Sequence, residues 1–203
     1  MSLLNAAIMP GRAIIATDTA FRIGGEEVGR KVSKCFALPH LPLVVAFRGQ
    51  LYFGASLWSG MLHVAARVDE ILDHATAIVS ESFHLIRRHG APAPALGDQQ
   101  QVVIAAFDER AGRMRGLHLE QQDIAAGFIC TEIPSTLYAP GGDWLNPPEN
   151  PATAATMIEV ARAQVVWVRN NVADAAIGGE LILTTIDQFS VRQERAFNLD
   201  REK

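Results

Sequence analysis

Three polar residues near the start of the sequence have the types and the spacing of a catalytic site. Ser2 follows Met1, and a methionine before a small residue is normally removed. We therefore expect Ser2 to begin the mature chain with a hydroxyl group and a free α-amine. Asp18 lies sixteen residues after Ser2, and Lys34 lies sixteen residues after Asp18. If these residues stand on adjacent strands of one sheet, their side chains can meet at one point, so the spacing indicates a candidate catalytic group.

Each of the three residues also has a structural interpretation that needs no chemistry. Many unrelated sequences start with Met-Ser, so Ser2 alone indicates little. An aspartate such as Asp18 is common in the turn at the end of a strand, and a lysine such as Lys34 is usually a solvated strand residue. We therefore base the hypothesis on the joint spacing of the three residues.

Apolar runs predict the strands that must position these residues. Residues 3–9 and 13–17 are short apolar runs on either side of Pro10-Gly11, a pair that suits a tight turn, so we expect a hairpin. Residues 41–47 form a continuous apolar run, which is typical of a strand buried on both faces. Further strand-like runs cover residues 101–108, 114–121, 123–138, 180–186 and 189–195.

Helical spacing of apolar residues predicts three helices. Two of them cover residues 51–74 and 76–89, and Gly90 with the prolines after it would end the second. The third is expected to begin at Asn150-Pro151, an N-cap followed by a first-turn proline, and to end near Asn170. This order of strands and helices is the pattern of antiparallel sheets covered by helices. We predict an α+β fold in one domain over residues 1–203.

Composition argues against several classes of protein. The 203 residues carry 18 basic and 22 acidic side chains with no block of like charge, so we do not expect nucleic acid as a partner. No apolar stretch approaches the roughly 20 residues of a membrane helix, and the segment from Pro10 to Arg12 interrupts any signal peptide. Cys35 and Cys130 lie in apolar runs without a Cys-x-x-Cys pair, so we expect a cytoplasmic location.

The histidines and glycine pairs do not predict a metal or a cofactor. None of the six histidines lies three or four residues from another with a further ligand nearby. Gly24-Gly25 and Gly141-Gly142 lack the strand, glycine loop and Lys-Ser/Thr context of a phosphate site. We therefore predict that the protein works without a cofactor.

The first 36 residues resemble the opening of the proteasome-type N-terminal nucleophile hydrolases, most closely the bacterial HslV peptidases. Later features agree as well, including two helices after the Arg48-Gly49 turn and the pair Gly178-Gly179 before a late strand. The resemblance implies a four-layer αββα sandwich of two antiparallel sheets. The matching residues in the opening segment are Ser2, Gly11, Ala16, Thr17, Asp18, Gly24, Val32, Ser33 and Lys34.

The resemblance also implies a role for each candidate site residue. The α-amine of Ser2 would be its own general base, because such an amine titrates at about pH 8. Lys34, held by Asp18, would place a positive charge beside Ser2, and the turn at Gly49 would offer a backbone N–H to the oxyanion. Asp174 lies four residues before Gly178, where proteasome β-subunits keep a structural and catalytic aspartate.

The implied function is that of a peptidase subunit in a homo-oligomeric ring, acting on peptides or unfolded proteins, with an ATP-dependent unfoldase as a possible partner. Two departures leave alternatives open. The proteolytic members mostly use threonine where this chain has Ser2, and Ile177 replaces a serine that β-subunits carry before the glycine pair. The alternatives are an inactive proteasome-like scaffold or interaction protein and an amidase for small molecules.

Overall fold

The apolar runs of the sequence form two antiparallel five-stranded sheets in the computed structural model, which describes residues 2–20, 22–23, 26–27, 31–38, 40–64, 67–88, 100–123, 127–141, 153–172 and 177–201. The strands are β1 (Leu4–Met9), β2 (Arg12–Asp18), β3 (Arg22–Ile23), β4 (Glu26–Glu27), β5 (Cys35–Ala37), β6 (Leu43–Arg48), β7 (Gln101–Asp108), β8 (Arg113–Asp123), β9 (Gly127–Glu132), β10 (Thr136–Ala139), β11 (Glu180–Asp187) and β12 (Val191–Asn198). Sheet I has the order β10-β1-β2-β11-β12, and sheet II has the order β5-β6-β7-β8-β9. The short strands β3 and β4 pair with each other.

Three helices in the described part of the chain cover the outer faces of the sheets. They are α1 (Leu51–Val64), α2 (Val68–Arg88) and α3 (Ala154–Asn171), and a 3-10 turn, Leu199–Arg201, follows the last strand. One apolar cluster joins α1 and α2 to sheet II, and another joins α3 to sheet I. A third cluster, which includes Leu4, Ile15 and Val44, fills the space between the sheets. The predicted αββα sandwich is therefore confirmed.

Strand β6, which lies between β5 and β7 in sheet II, shows why a run without polar residues was needed there. Leu43, Val45 and Phe47 pack in the cluster under the helices, while Val44 and Ala46 pack in the cluster between the sheets. Successive side chains of a strand point to opposite faces, so a strand covered on both sides must be apolar throughout.

The first two helices divide at a different place from the predicted one. We expected one helix over residues 51–74, but α1 ends at Val64 and α2 begins at Val68. Leu72 and Ala75 are buried on α2 together with Ile78, so the predicted boundary falls inside that helix. Both helices bury their apolar faces against sheet II, so the apolar stripe continues across the break and the sequence pattern does not reveal it.

Two other element ends differ from the sequence-based expectation. The predicted N-cap Asn150 lies outside the described residues, and the observed N-cap of α3 is Thr153, whose hydroxyl accepts a hydrogen bond from the Thr156 N–H at 3.1 Å. Phe189 belongs to a turn and not to the last strand, because the Asp187 carboxylate accepts the Phe189 N–H at 2.8 Å. None of the described helices is long and apolar enough to cross a membrane.

Candidate active site

The structure brings Ser2, Asp18 and Lys34 together at one end of the sheet sandwich. The ammonium of Lys34 donates to Ser2 Oγ at 3.0 Å and to Asp18 Oδ1 at 2.8 Å. It also donates to the main-chain carbonyl of Ala20 at 2.5 Å. Asp18 and Lys34 are buried and Ser2 is half-buried, so the hydroxyl lies where a charged pair meets the surface.

The three residues reach this point from both sheets, which differs from the expectation that they share one sheet. Ser2 precedes β1, and Asp18 is the last residue of β2, with Leu4 paired to Thr17 in the hairpin. Lys34 immediately precedes β5 of sheet II, where its carbonyl accepts the Phe47 N–H at 2.9 Å. The stacking of one sheet on the other is therefore what places the ammonium beside the hydroxyl.

Asp18 also organises the main chain around the site. Its Oδ1 atom accepts the Leu3 N–H at 2.8 Å, and its Oδ2 atom accepts the Gly178 N–H at 3.4 Å. The adjacent Gly179 has a φ of 73°, and a side-chain Cβ there would lie 2.5 Å from Thr19 Oγ1. A glycine at position 179 is thus required for the close approach of this turn to the end of β2.

Gly49 follows β6 in a backbone conformation that favours glycine. Its φ is 136°, and a Cβ at this position would lie 2.0 Å from Gln100 Oε1. That same oxygen accepts the Gln50 N–H at 2.8 Å, so the Gln100 side chain occupies the space beside the glycine. The preceding residue, Arg48, contacts Ser2, so the turn lies next to the candidate nucleophile.

The sequence patterns did not reveal a row of three polar side chains that begins at the Ser2 carbonyl, in which the first two members are buried and the third is half-buried. Arg48 donates from Nε to the Ser2 carbonyl at 2.9 Å and from Nη1 to Gln101 Oε1 at 2.9 Å. Gln101 in turn donates from Nε2 to Glu120 Oε1 at 2.7 Å. Arg48, Gln101 and Glu120 lie directly opposite one another on β6, β7 and β8. The signal that could have revealed the row is a charged residue that ends an otherwise apolar strand.

The Arg48 side chain is buried, with only 7% of the residue's surface exposed. Burial lowers the pKa of Arg48, and the nearby carboxylates of Asp18 and Glu120 oppose that change. Together with Lys34, it gives the site two cations beside two anions. Asp18, Lys34 and Arg48 are buried, and Glu120 is half-buried. Because buried charges need opposite charges and hydrogen bonds, the three buried groups depend on these partners.

Two further residues that the sequence singled out, Ile177 and Asp174, have different outcomes. Ile177 is an apolar residue without a hydroxyl, and its side chain is buried in the apolar cluster under α3. Asp174 lies outside the described residues. Among the residues that the structure describes, no group of three or more His, Cys, Asp or Glu side chains is arranged to hold a metal ion.

The overall fold resembles solved structures of Anbu proteins. Anbu (ancestral beta-subunit) from Yersinia bercovieri aligns with a TM-score of 0.66 at 12% identity, covering 95% of this chain and 86% of that chain. Anbu from Hyphomicrobium sp. strain MC1 aligns with a TM-score of 0.63 at 14% identity, covering 95% and 86%. A mutant of the Hyphomicrobium protein gives 0.66 at 13% identity, covering 96% and 87%. The sequence matches no protein-family model and no curated protein.

The expectation that HslV peptidases are the nearest relatives is wrong, since the similar structures are Anbu proteins, which are proteasome-like but form a distinct family. Of the residues behind that expectation, Ser2 precedes β1, Asp18 ends β2 and Lys34 precedes β5. Gly24 lies outside the described residues. The chain therefore has the αββα fold of proteasome-like β-subunits.

Proposed function

We propose that this chain is a proteasome-like hydrolase that cleaves peptide bonds with Ser2 after removal of Met1. The observation that carries the proposal is the 3.0 Å hydrogen bond from Lys34 Nζ to Ser2 Oγ. Asp18 and the Ala20 carbonyl hold the ammonium in place. A fixed positive charge lowers the cost of forming an alkoxide and lowers the pKa of a neighbouring α-amine.

Acylation begins when Ser2 Oγ attacks the carbonyl carbon of the substrate and its proton passes to the α-amine. The carbonyl oxygen becomes an oxyanion, which the Gly49 N–H stabilises. When the C–N bond breaks, the leaving amine takes the proton from the α-ammonium. The products are a free amine and an ester on Ser2.

Deacylation repeats these steps with water as the nucleophile. The α-amine of Ser2 takes a proton from water as the water oxygen attacks the ester carbonyl. The ester C–O bond then breaks, Ser2 Oγ recovers a proton, and a carboxylic acid leaves.

Asp174 is assigned the supporting role that an aspartate has at this place in proteasome β-subunits.

The proposal includes a homo-oligomeric ring in the cytoplasm, with peptides or unfolded proteins as substrates and an ATP-dependent unfoldase as partner. It draws support from the proteasome-like fold and from the name "ancestral beta-subunit" of a similar protein. Light scattering tests the assembly. A ring agrees with the proposal, whereas a monomer or dimer favours the amidase for small molecules.

The decisive experiment measures the intact mass of the purified protein before and after treatment with a β-lactone. We expect the mass of a chain that begins at Ser2, followed by the addition of one lactone to that residue. Ser2→Ala should lose both the adduct and the cleavage of peptides. Ser33→Ala is the matched control, because this neighbouring hydroxyl donates to the Cys35 carbonyl and not to the site. Retained Met1, or cleavage by Ser2→Ala, contradicts the mechanism.

A second candidate function is a scaffold that keeps the fold without catalysis. The buried side chain of Ile177 favours it, because a serine that could bind the nucleophile's amine is missing there. A covalent adduct on Ser2 would reject this alternative. An unmodified Ser2 with a free amine, in a protein that assembles normally, would support it.

A further inference from the structure

The peptide group between Ser2 and Leu3 is held at both of its polar atoms. Its carbonyl oxygen accepts from Arg48 Nε at 2.9 Å, and its N–H donates to Asp18 Oδ1 at 2.8 Å. Residues at chain ends are usually mobile unless they are tied down. Here two charged side chains hold one peptide plane from opposite edges, so the main chain beside the hydroxyl has a defined orientation.

This orientation bears on the α-amine. Lys34 fixes Ser2 Oγ, and the held peptide group fixes the carbonyl carbon. Oγ is bonded to Cβ, so these contacts restrain two substituents of Cα, Cβ and the carbonyl carbon. Because the Cα atom is tetrahedral and of fixed chirality, they also restrain the direction of the third, the amine nitrogen. In the proposed reaction this nitrogen must take a proton from Oγ, so its direction decides whether it can act as the base.

Two further side chains, Gln101 and Glu120, hold Arg48 in place. Gln101 presents its carbonyl oxygen to Arg48 Nη1 and its amide nitrogen to Glu120 Oε1. The neighbouring inward positions on β6 are apolar, Val44 and Ala46. Placing a guanidinium at the end of this strand costs desolvation free energy, and the hydrogen bonds and opposite charges must offset it.

We propose that Arg48 is a positioning residue for the N-terminal nucleophile. Arg48 orients the Ser2 main chain so that the α-amine faces the Ser2 hydroxyl, and it places a second fixed cation beside that amine. The inference rests on the proposed function. The charged and titratable groups around this point are Asp18 from β2, Lys34 before β5, and Glu120 and His118 from β8. Arg48 acts through Ser2 and does not contact the substrate.

Three variants separate charge from geometry. Arg48→Met removes both the cation and the hydrogen bond to the Ser2 carbonyl. Arg48→Lys keeps the positive charge but loses the planar guanidinium, whose N–H groups donate to Ser2 and Gln101 at the same time. The matched control is Arg113→Met, since Arg113 is 53% exposed and pairs with Glu132 away from the site. Urea unfolding of each variant shows whether the fold is retained, and Arg48→Lys remains informative if Arg48→Met does not fold.

The experiment measures the pKa of the Ser2 amine by NMR of nitrogen-labelled serine, and the rate at which a β-lactone acylates Ser2 at several pH values. For Arg48→Met we expect the amine pKa to rise by about half a unit or more and acylation at neutral pH to slow by roughly tenfold. For Arg48→Lys the amine pKa should stay near the wild-type value while acylation slows. Arg113→Met should match wild type in both measurements.

The outcomes distinguish this inference from the function on which it rests. An amine pKa and an acylation rate that are unchanged in Arg48→Met, in a wild-type protein that cleaves peptides, would reject the role of Arg48 alone. A wild-type protein that cleaves no amide, but whose amine pKa still rises in Arg48→Met, would reject the proposed function alone. Retention of Met1 would reject both.

Discussion

The carboxylate of Asp18 and the ammonium of Lys34 form an ion pair 2.8 Å long that joins the two sheets at the candidate nucleophile. The side chains are 0% and 3% exposed, so water screens neither charge. Asp18 ends β2 of sheet I, and Lys34 precedes β5 of sheet II. Because a buried charge without a partner is strongly unfavourable, each residue depends on the other and on the packing of the sheets.

Lys34→Met should destabilise the protein and abolish the reaction of Ser2 with a β-lactone. The substitution leaves the Asp18 carboxylate buried without a cation, for which we expect a loss of about 3–5 kcal/mol in the free energy of unfolding. The double variant Asp18→Asn/Lys34→Met should lose less than the sum of the two single changes. Urea unfolding gives the free energies, and lactone labelling reports Ser2.

The control for this prediction is a salt bridge on the surface. Arg110 and Asp73 are 48% and 51% exposed, so Arg110→Ala should lower the free energy of unfolding far less than Lys34→Met does. If Lys34→Met lowers the free energy of unfolding no more than Arg110→Ala does, the buried pair of Asp18 and Lys34 does not stabilise the fold as its geometry indicates.

Gly49→Ala should disturb the turn beside the site for two separable reasons. An alanine must adopt a φ of 136°, and its Cβ would lie 2.0 Å from Gln100 Oε1. We expect a loss of more than about 2 kcal/mol and slower labelling of Ser2. Gly112→Ala is the control, because Gly112 has a φ of 63° with no atom within 4 Å of an added Cβ. An equal loss at Gly49 and Gly112 would show that the contact with Gln100 is unimportant.

Asn5 and Gln164 should form a coupled pair that anchors the start of β1 to α3. Both are 0% exposed, and each amide donates to the other's oxygen, at 2.5 Å from Asn5 and 3.0 Å from Gln164. Gln164→Met leaves the Asn5 amide without this partner, so we expect a loss of about 1–3 kcal/mol. Hydrogen exchange of β1 should quicken. The exposed Gln188→Met should change neither quantity, and equal effects at the two glutamines would contradict the pairing.

Cys35 should make stability fall at alkaline pH. Burial raises the pKa of the Cys35 thiol from 9.0 to about 11, against the hydrogen bonds from Thr184 and Gln193. The folded state thus keeps its proton where the unfolded chain loses it. The contribution is fully present below pH 9 and is lost as pH rises through 11, with a total of about 3 kcal/mol.

The measurement for Cys35 compares wild type with Cys35→Ala by urea unfolding across this pH range. The difference in unfolding free energy between the two proteins should shrink as pH rises. The half-buried Cys130, whose thiol pKa burial also raises, should react with iodoacetamide sooner than Cys35 in the folded protein. A constant difference between wild type and Cys35→Ala would show that the thiol has the same pKa in the folded and unfolded states.

Local patterns in the amino-acid sequence were sufficient for much of the fold. Strands β1 and β2 agree with the predicted hairpin, and β6 agrees with the predicted strand buried on both faces. These features depend on residues close together in the chain, whose apolar spacing reflects the surfaces that they bury. The break between α1 and α2 could not be predicted, because two helices that pack on one sheet share an apolar stripe.

The neighbouring positions of Ser2 and Asp18 follow from the hairpin, because a tight turn pairs β1 with β2 and brings their outer ends together. The places of Lys34 and Arg48 follow from the stacking of sheet II on sheet I. Their contacts with Ser2 cross 32 and 46 residues of chain. Such contacts arise only when the apolar faces of the sheets are buried together. The joint spacing of Ser2, Asp18 and Lys34 indicated the contact of Lys34, but no local pattern of residues indicated that Arg48 would reach the Ser2 carbonyl.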